Sequence, residues 1–230
     1  MKITILGKHG PYVTYSNCAT SGYLVEEDHF KMLLDMGSGV LSRLLENTKI
    51  SELDGIFISH LHFDHTSDLL PFKYCLDSVK KSVTVYTEYS DSDWYKLLFN
   101  HPLINVVNVN ENTELEIKGK KIKFFRMVHP VPTLAIKIEG KKTFAYTGDT
   151  VYNDNLISLL DGCDIAICDC AKPSKFNGPH MNVIDTKKML DNTDVKKIIV
   201  SHFSPTKEDL SEFDNLDRIY MGEELHVYDA

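Results

Sequence analysis

Ser59-His60-Leu61-His62-Phe63-Asp64-His65 puts three imidazoles and a carboxylate within six residues. Neutral imidazole and carboxylate are the side chains that suit a borderline divalent metal such as zinc. The preceding Ile56-Phe57-Ile58-Ser59 is a short apolar run after Gly55 and reads as a buried strand. The following Thr66-Ser67-Asp68-Leu69-Leu70 reads as the first turn of a helix, with Thr66 or Ser67 as its cap. The four polar groups therefore belong to a tight strand-to-helix loop, which can aim alternate side chains at one point.

Further along, the same arrangement recurs at three more strand ends. Ile122 to Val128 reads as a strand, with His129 directly after it. Phe144-Ala145-Tyr146-Thr147 is followed by Gly148-Asp149-Thr150, and Ile198-Ile199-Val200-Ser201 by His202. Ligands of α/β sheets bind at the carboxyl ends of strands. One histidine at a strand end is more often structural; four such ends in one chain point to a site. Gly148 fits, because it lets the backbone come close to a metal.

Composition sets the bounds. The 230 residues are enough for one large domain with a sizeable core, and 43% hydrophobic with 25% charged residues is ordinary for a globular protein. A net charge of −8 gives no global basic field for a long nucleic acid. Five cysteines with no second close pair read as free thiols in a reducing cytoplasm. Met1 to Leu6 looks like a first strand rather than a signal peptide, and no apolar window is long enough to span a membrane.

The hydrophobic pattern predicts strands near residues 1–6, 23–25, 31–35, 56–59, 83–87, 104–109, 114–117, 121–128, 134–138, 143–147, 165–168 and 198–200, with two more short ones ending at Val227-Tyr228. Helices are expected over Val40–Glu46, from the histidine loop toward Asp77, over Asp91–Phe99, and near 153–161 and 181–191. Gly119 and Gly140 mark hairpin turns. No linker or repeat interrupts the chain, so 1–230 reads as a single domain. A meandering front and an alternating back argue two sheets flanked by helices, an α/β layered architecture.

In type and order, His60, His62, Asp64, His65, His129, Asp149 and His202 resemble the seven ligands of the metallo-β-lactamase superfamily. Leu34-Asp35-Met36-Gly37-Ser38-Gly39 looks like that family's early Asp-Gly turn. Thr147-Gly148-Asp149-Thr150 and Ser201-His202-Phe203-Ser204-Pro205 are similar to motifs of its ribonuclease Z branch. The resemblance implies a four-layer αββα sandwich with two divalent metals, zinc first, with manganese or iron as alternatives. It implies that His60, His62 and His129 hold one ion, that Asp64, His65 and His202 hold the other, and that Asp149 bridges. Two ions about 3.5–4 Å apart can share one hydroxide, ionised near neutral pH. Asp64 could also accept a proton from the attacking water, and Asp35 reads as a structural carboxylate behind the ligands.

His180, between Asp169 and the last ligand, occupies a position where ribonuclease Z-like proteins face the scissile phosphate. By that resemblance it steadies the phosphorane or protonates the leaving alkoxide. The long tRNA-binding arm of that branch is missing: His129 and Asp149 lie only 20 positions apart. The expected activity is therefore a phosphodiesterase for a small substrate, with cyclic nucleotides among the candidates. A thioester or lactone hydrolase on the same metal core is the alternative. A tRNA 3′-processing endonuclease and a non-catalytic scaffold rank below it. The expected partner is a small molecule, not a membrane or a long nucleic acid, and a homodimer stays open. Lys172, Lys175 and His9 are candidate substrate contacts.

Overall fold

The computed structural model describes residues 1–12, 16–171, 178–202 and 217–230. Lys172, Lys175 and Phe203-Ser204-Pro205 thus lie outside the described residues. The chain divides into two units, Met1–Asn110 with Glu224–Asp229, and Glu111–Glu223 with Ala230.

The first unit opens as a meander: β1 (Lys2–Gly7), β2 (Gly22–Glu27) and β3 (Phe30–Leu34) pair antiparallel. β4 (Gly55–Phe57), β5 (Val83–Thr87) and β6 (Ile104–Asn108) then add in parallel. Parallel pairing needs a crossover, and helices supply each one. α1 (Val40–Asn47) precedes β4, α2 (Phe63–Thr66) and α3 (Leu69–Val79) precede β5, and α4 (Asp93–Phe99) precedes β6. Strand β14 (Val227–Asp229) returns to pair antiparallel with β1, completing the order β14-β1-β2-β3-β4-β5-β6. Leu41, Leu44, Phe72 and Leu76 of the helices share one core with Leu24, Leu33, Ile56 and Val85 of the sheet. Each such side chain is stabilised by about 1.5–3 kcal/mol on burial. Alternate strand residues on the opposite face, among them Ile3, Tyr23, Val25 and Met32, are buried as well.

One boundary differs from the sequence reading. Asp64 and His65 lie inside α2, not in a loop, and neither Thr66 nor Ser67 caps the next helix. Their hydroxyls turn back to the carbonyls of His62 and Phe63. This is the bond that short polar side chains make to residue i−4 once they are helical. Asp68 occupies the cap position of α3, and its carboxylate accepts the amide of Leu41 instead.

The second unit uses a similar plan. β7 (Glu114–Ile117), β8 (Lys120–Met127), β9 (Thr133–Glu139) and β10 (Thr143–Tyr146) pair antiparallel. β11 (Ile165–Asp169), β12 (Ile198–Ser201) and β13 (Ile219–Met221) follow in parallel, giving the order β13-β12-β11-β10-β9-β8-β7. Lys118 and Gly119 both have positive φ, 51° and 75°, which closes the β7–β8 hairpin in the twist such a turn requires. α5 (Asn155–Leu160) makes the crossover from β10 to β11, and α6 (Val183–Asn192) the one from β11 to β12. α6 starts on a reciprocal cap: Asn182 accepts the amides of Ile184 and Asp185, and Asp185 accepts the amide of Asn182. Leu156, Leu159, Val183 and Met189 pack with Ala145, Ala166, Ile198 and Val200. Cys163, Cys168 and Cys170 are buried in this core, and all five cysteines are free. Burial pushes the Cys163 thiol up to about 12, so it behaves as an inert apolar group. No described helix is long and apolar enough to cross a membrane.

Candidate metal centre

In the first unit, the ligand-type side chains begin three residues beyond β4. His60 Nε2 lies 3.0 Å from His62 Nδ1. The His60 and His65 ring centroids are 4.1 Å apart, and His65 Nε2 is 3.5 Å from Asp64 Oδ2. Asp35 orients this group. Its Oδ2 is 2.7 Å from His65 Nδ1 and accepts the Ser59 hydroxyl at 2.8 Å, while Oδ1 accepts the Ser59 amide at 2.7 Å. A carboxylate can only accept, so His65 Nδ1 carries the proton and Nε2 presents a lone pair. Ser59 gives its proton to Asp35 and stands 3.0 Å from His60 Nδ1. It therefore accepts from Nδ1, and His60 too presents Nε2 as a lone pair. One buried carboxylate thus sets the tautomer of two imidazoles. The turn that carries Asp35 sits hard against α2: a Cβ on Gly37 would lie 1.9 Å from the Asp64 carbonyl oxygen.

In the second unit, the ends of β8, β10, β11 and β12 fall on one sheet edge. His129 Nε2 is 3.9 Å from Asp149 Oδ2, and His202 Nδ1 is 3.4 Å from Asp149 Oδ1. Gly148 and His202 adopt positive φ, 58° and 61°, so the chain turns sharply at both strand ends. His129 Nδ1 donates to the Pro179 carbonyl at 3.1 Å, which leaves Nε2 as its lone-pair nitrogen. The next residue, His180, stacks on His202 with centroids 4.8 Å apart and has Nδ1 3.8 Å from Asp149 Oδ2. His180 Nδ1 is bound more tightly to Asp169 Oδ2, at 2.9 Å. Asp169 also accepts the amides of Thr150 and Ala171 at 2.9 and 3.1 Å. Burial pushes the Asp169 carboxyl up; the His180 hydrogen bond pulls it down, and the Asp149 charge pushes it up again.

The structure thus gathers His60, His62, Asp64 and His65 in one unit and His129, Asp149 and His202 in the other. His180 stands beside Asp149 in the second unit. Sequence reasoning missed Asp169 as a site residue, although it ends β11 just as the ligands follow their strands. His9 Nε2 is 3.9 Å from Glu224, whose carboxylate also binds Arg43 at 2.9 Å. A groove of about 550 Å³, lined by Glu111, Lys123, Phe125, Arg126 and Asn155, holds none of the expected ligands.

The donor set fits divalent metal. It includes the imidazoles of His65, His60 and His129, whose far sides are held by carboxylate, hydroxyl and carbonyl, and the buried carboxylates of Asp64 and Asp149. Two imidazole nitrogens 3.0 Å apart, with one of them a lone pair, suit a shared cation as well as a hydrogen bond.

Comparison with known proteins agrees. Residues 31–203 match the family model described as the Beta-lactamase superfamily domain. The chain is 27% identical, over 88% of its length and 86% of the relative's, to the probable metallo-hydrolase YhfI of Bacillus subtilis. The crystal structure of that metallo-β-lactamase fold protein superposes with a TM-score of 0.91 at 24% identity, covering 99% of this chain and 98% of the other. A ribonuclease Z of Saccharolobus islandicus is 25% identical over 83% of this chain and 84% of its own. A diphosphatase of the PhnP family has a TM-score of 0.79 at 17% identity, covering 100% and 97% of the two chains.

Proposed function

This chain belongs to the β-lactamase superfamily, and from that membership we propose that it is a metallo-hydrolase that cleaves small phosphodiesters with two bound divalent ions, zinc by preference. The observation that carries the phosphodiester reading is His180, held on Asp169 at 2.9 Å and set beside Asp149. His60, His62 and His129 would hold one ion, Asp64, His65 and His202 the other, and Asp149 would serve both. When bound, such ions ionise a water near neutral pH and offset the charge that develops on phosphoryl oxygens.

The remaining work falls to the chain's own residues. Asp64 takes a proton from the attacking water. Asp169 accepts from His180 Nδ1 and stabilises the imidazolium, so Nε2 delivers a proton to the leaving alkoxide. Asp35 holds His60 and His65 in the tautomers that ligation requires. Ribonuclease Z and diphosphatase, as their names state, act on phosphate linkages, which supports a phosphoryl substrate over a carbonyl one. The net charge of −8 and the short β9–β10 connection from His129 to Asp149 support a small substrate over tRNA. The free thiols support the cytoplasm as its compartment.

The test is a panel of phosphodiesters, cyclic nucleotides, thioesters and lactones against metal-loaded protein, with elemental analysis alongside. Phosphodiester turnover with two metals per chain is expected. A clear carbonyl preference, or only trace metal after reconstitution, overturns the proposal.

A further inference from the structure

Phe63 stands between His62 and Asp64 in the chain, and 66% of its surface is exposed. A single exposed apolar side chain needs no explanation. Phe63 is not single. Its ring meets Trp94 edge to face, with centroids 4.8 Å apart and planes at 68°. Trp94 is half-buried on α4 and packs against the core of its unit, whereas Phe63 is outside that core. The indole Nε1 donates to Thr66 Oγ1 at 3.3 Å, and Thr66 donates to the His62 carbonyl at 2.8 Å. Trp94 is therefore fastened to the same turn that carries His62, Asp64 and His65, and it braces Phe63 there.

A braced ring next in sequence to the candidate ligands adds little to the fold, and most of its surface is open to a partner. Resting on the phosphodiesterase reading, we propose that Phe63, backed by Trp94, stacks against a nucleobase of the substrate, on the side of the phosphate away from the leaving group. A flat, rigid ring suits a flat partner; an acyl chain is served as well by flexible aliphatic side chains. With a net charge of −8 and no global basic field, affinity for a small phosphodiester has to come from contacts other than long-range attraction. Base stacking is such a contact, and it does not depend on which base is present.

The experiment compares two esters that share a reacting phosphate and a leaving group, thymidine 5′-(p-nitrophenyl phosphate) and methyl p-nitrophenyl phosphate. On metal-loaded wild type, kcat/KM should favour the nucleoside ester by about tenfold. Phe63→Ala should bring that ratio close to one, and Phe63→Trp should keep it, with metal content verified for each. Trp94 is the one tryptophan of the chain, so its emission reports binding of thymidine 5′-monophosphate without turnover. Affinity by that measure should weaken about tenfold in Phe63→Ala. An equal ratio in wild type, or a ratio that survives Phe63→Ala, overturns the stacking role and leaves the phosphodiesterase reading intact. If wild type cleaves neither ester, the phosphodiesterase reading falls. The emission titration then decides, and no response or equal affinities remove Phe63 from binding.

Discussion

The two units assemble ligand-type side chains in opposite ways. In the first, four of them come from six consecutive residues, and a single carboxylate, Asp35, orients two of the rings. In the second, His129, Asp149 and His202 are scattered over the chain. They meet because β8, β10 and β12 end on one edge, with β11 between the last two. Register does there what sequence proximity does in the first unit: Tyr146 lies opposite Ile167, and Asp169 opposite Ser201. A local cluster is vulnerable at the residue that orients it. A cluster built by register is vulnerable at the residue on which it converges and at the pairing that aligns its strands.

The largest effect is therefore expected at the convergence point. Asp149→Ala should abolish nearly all turnover and loosen both metals, well beyond the roughly 10–100-fold cost of losing an outer partner. Two tight metals with near-normal turnover would erase the distinction between the units. His180→Ala comes next, with about a 10²–10⁴-fold loss on an alkyl phosphodiester and metal content retained. The loss should shrink on a nitrophenyl diester, whose leaving group departs without a proton; equal losses on both would reduce His180 to scaffold.

Asp35→Asn probes the local cluster. It keeps the shape and tolerates the φ of 56° at that position, but it no longer demands a proton from His65 Nδ1. Metal affinity measured by competition with a chelator should fall about 10–100-fold, and unchanged affinity would mean that Asp35 orients nothing. The smallest effect lies at the far end of the second sheet. Asp164 clamps the start of β11 to β10, accepting the Thr143 amide at 2.9 Å and donating its own amide to the Thr143 carbonyl at 2.8 Å. Burial raises its carboxyl, but Lys196, the Thr143 amide and Lys142 outweigh that and hold it down at about 2. A depressed carboxyl contributes stability above its ordinary value and loses that contribution as pH falls through the folded one. Both lysines are exposed, so screening leaves about 1 kcal/mol. Asp164→Asn should be less stable by that amount in denaturant melts at neutral pH, with the gap closing as pH falls from about 4 toward 2. A pH-independent gap would point to lost packing instead.

The same contrast governs what could be read in advance. The histidine stretch and the hydrophobic periods are local, so the cluster of four ligand-type side chains, the strands and most helices were legible. The helix start at Phe63 was not, because Thr66 and Ser67 have the composition of caps and only the backbone decides whether they act as such. The Pro179 carbonyl behind His129, the Ser59 relay between Asp35 and His60, and the Trp94 brace are tertiary contacts with no local signature. Asp169 is different: it ends β11, and the strand-end criterion that flags His129 and Asp149 applies to it equally.

One feature of the first sheet bears on how the protein is made. Its β1 edge is closed by β14, and Glu224, just ahead of that strand, takes the Ala19 amide at 2.9 Å and the Arg43 guanidinium. All of residues 111–223 must be translated between the first 110 residues and this closing segment. At ribosomal speeds of roughly 5–20 residues per second, that is a delay on the order of ten seconds. Through that interval the nascent first unit carries an open strand edge, the kind of surface that recruits other chains. The long second unit therefore sets a timer on the first, and slow codons within 111–223 would lengthen the window in which a growing chain needs a chaperone.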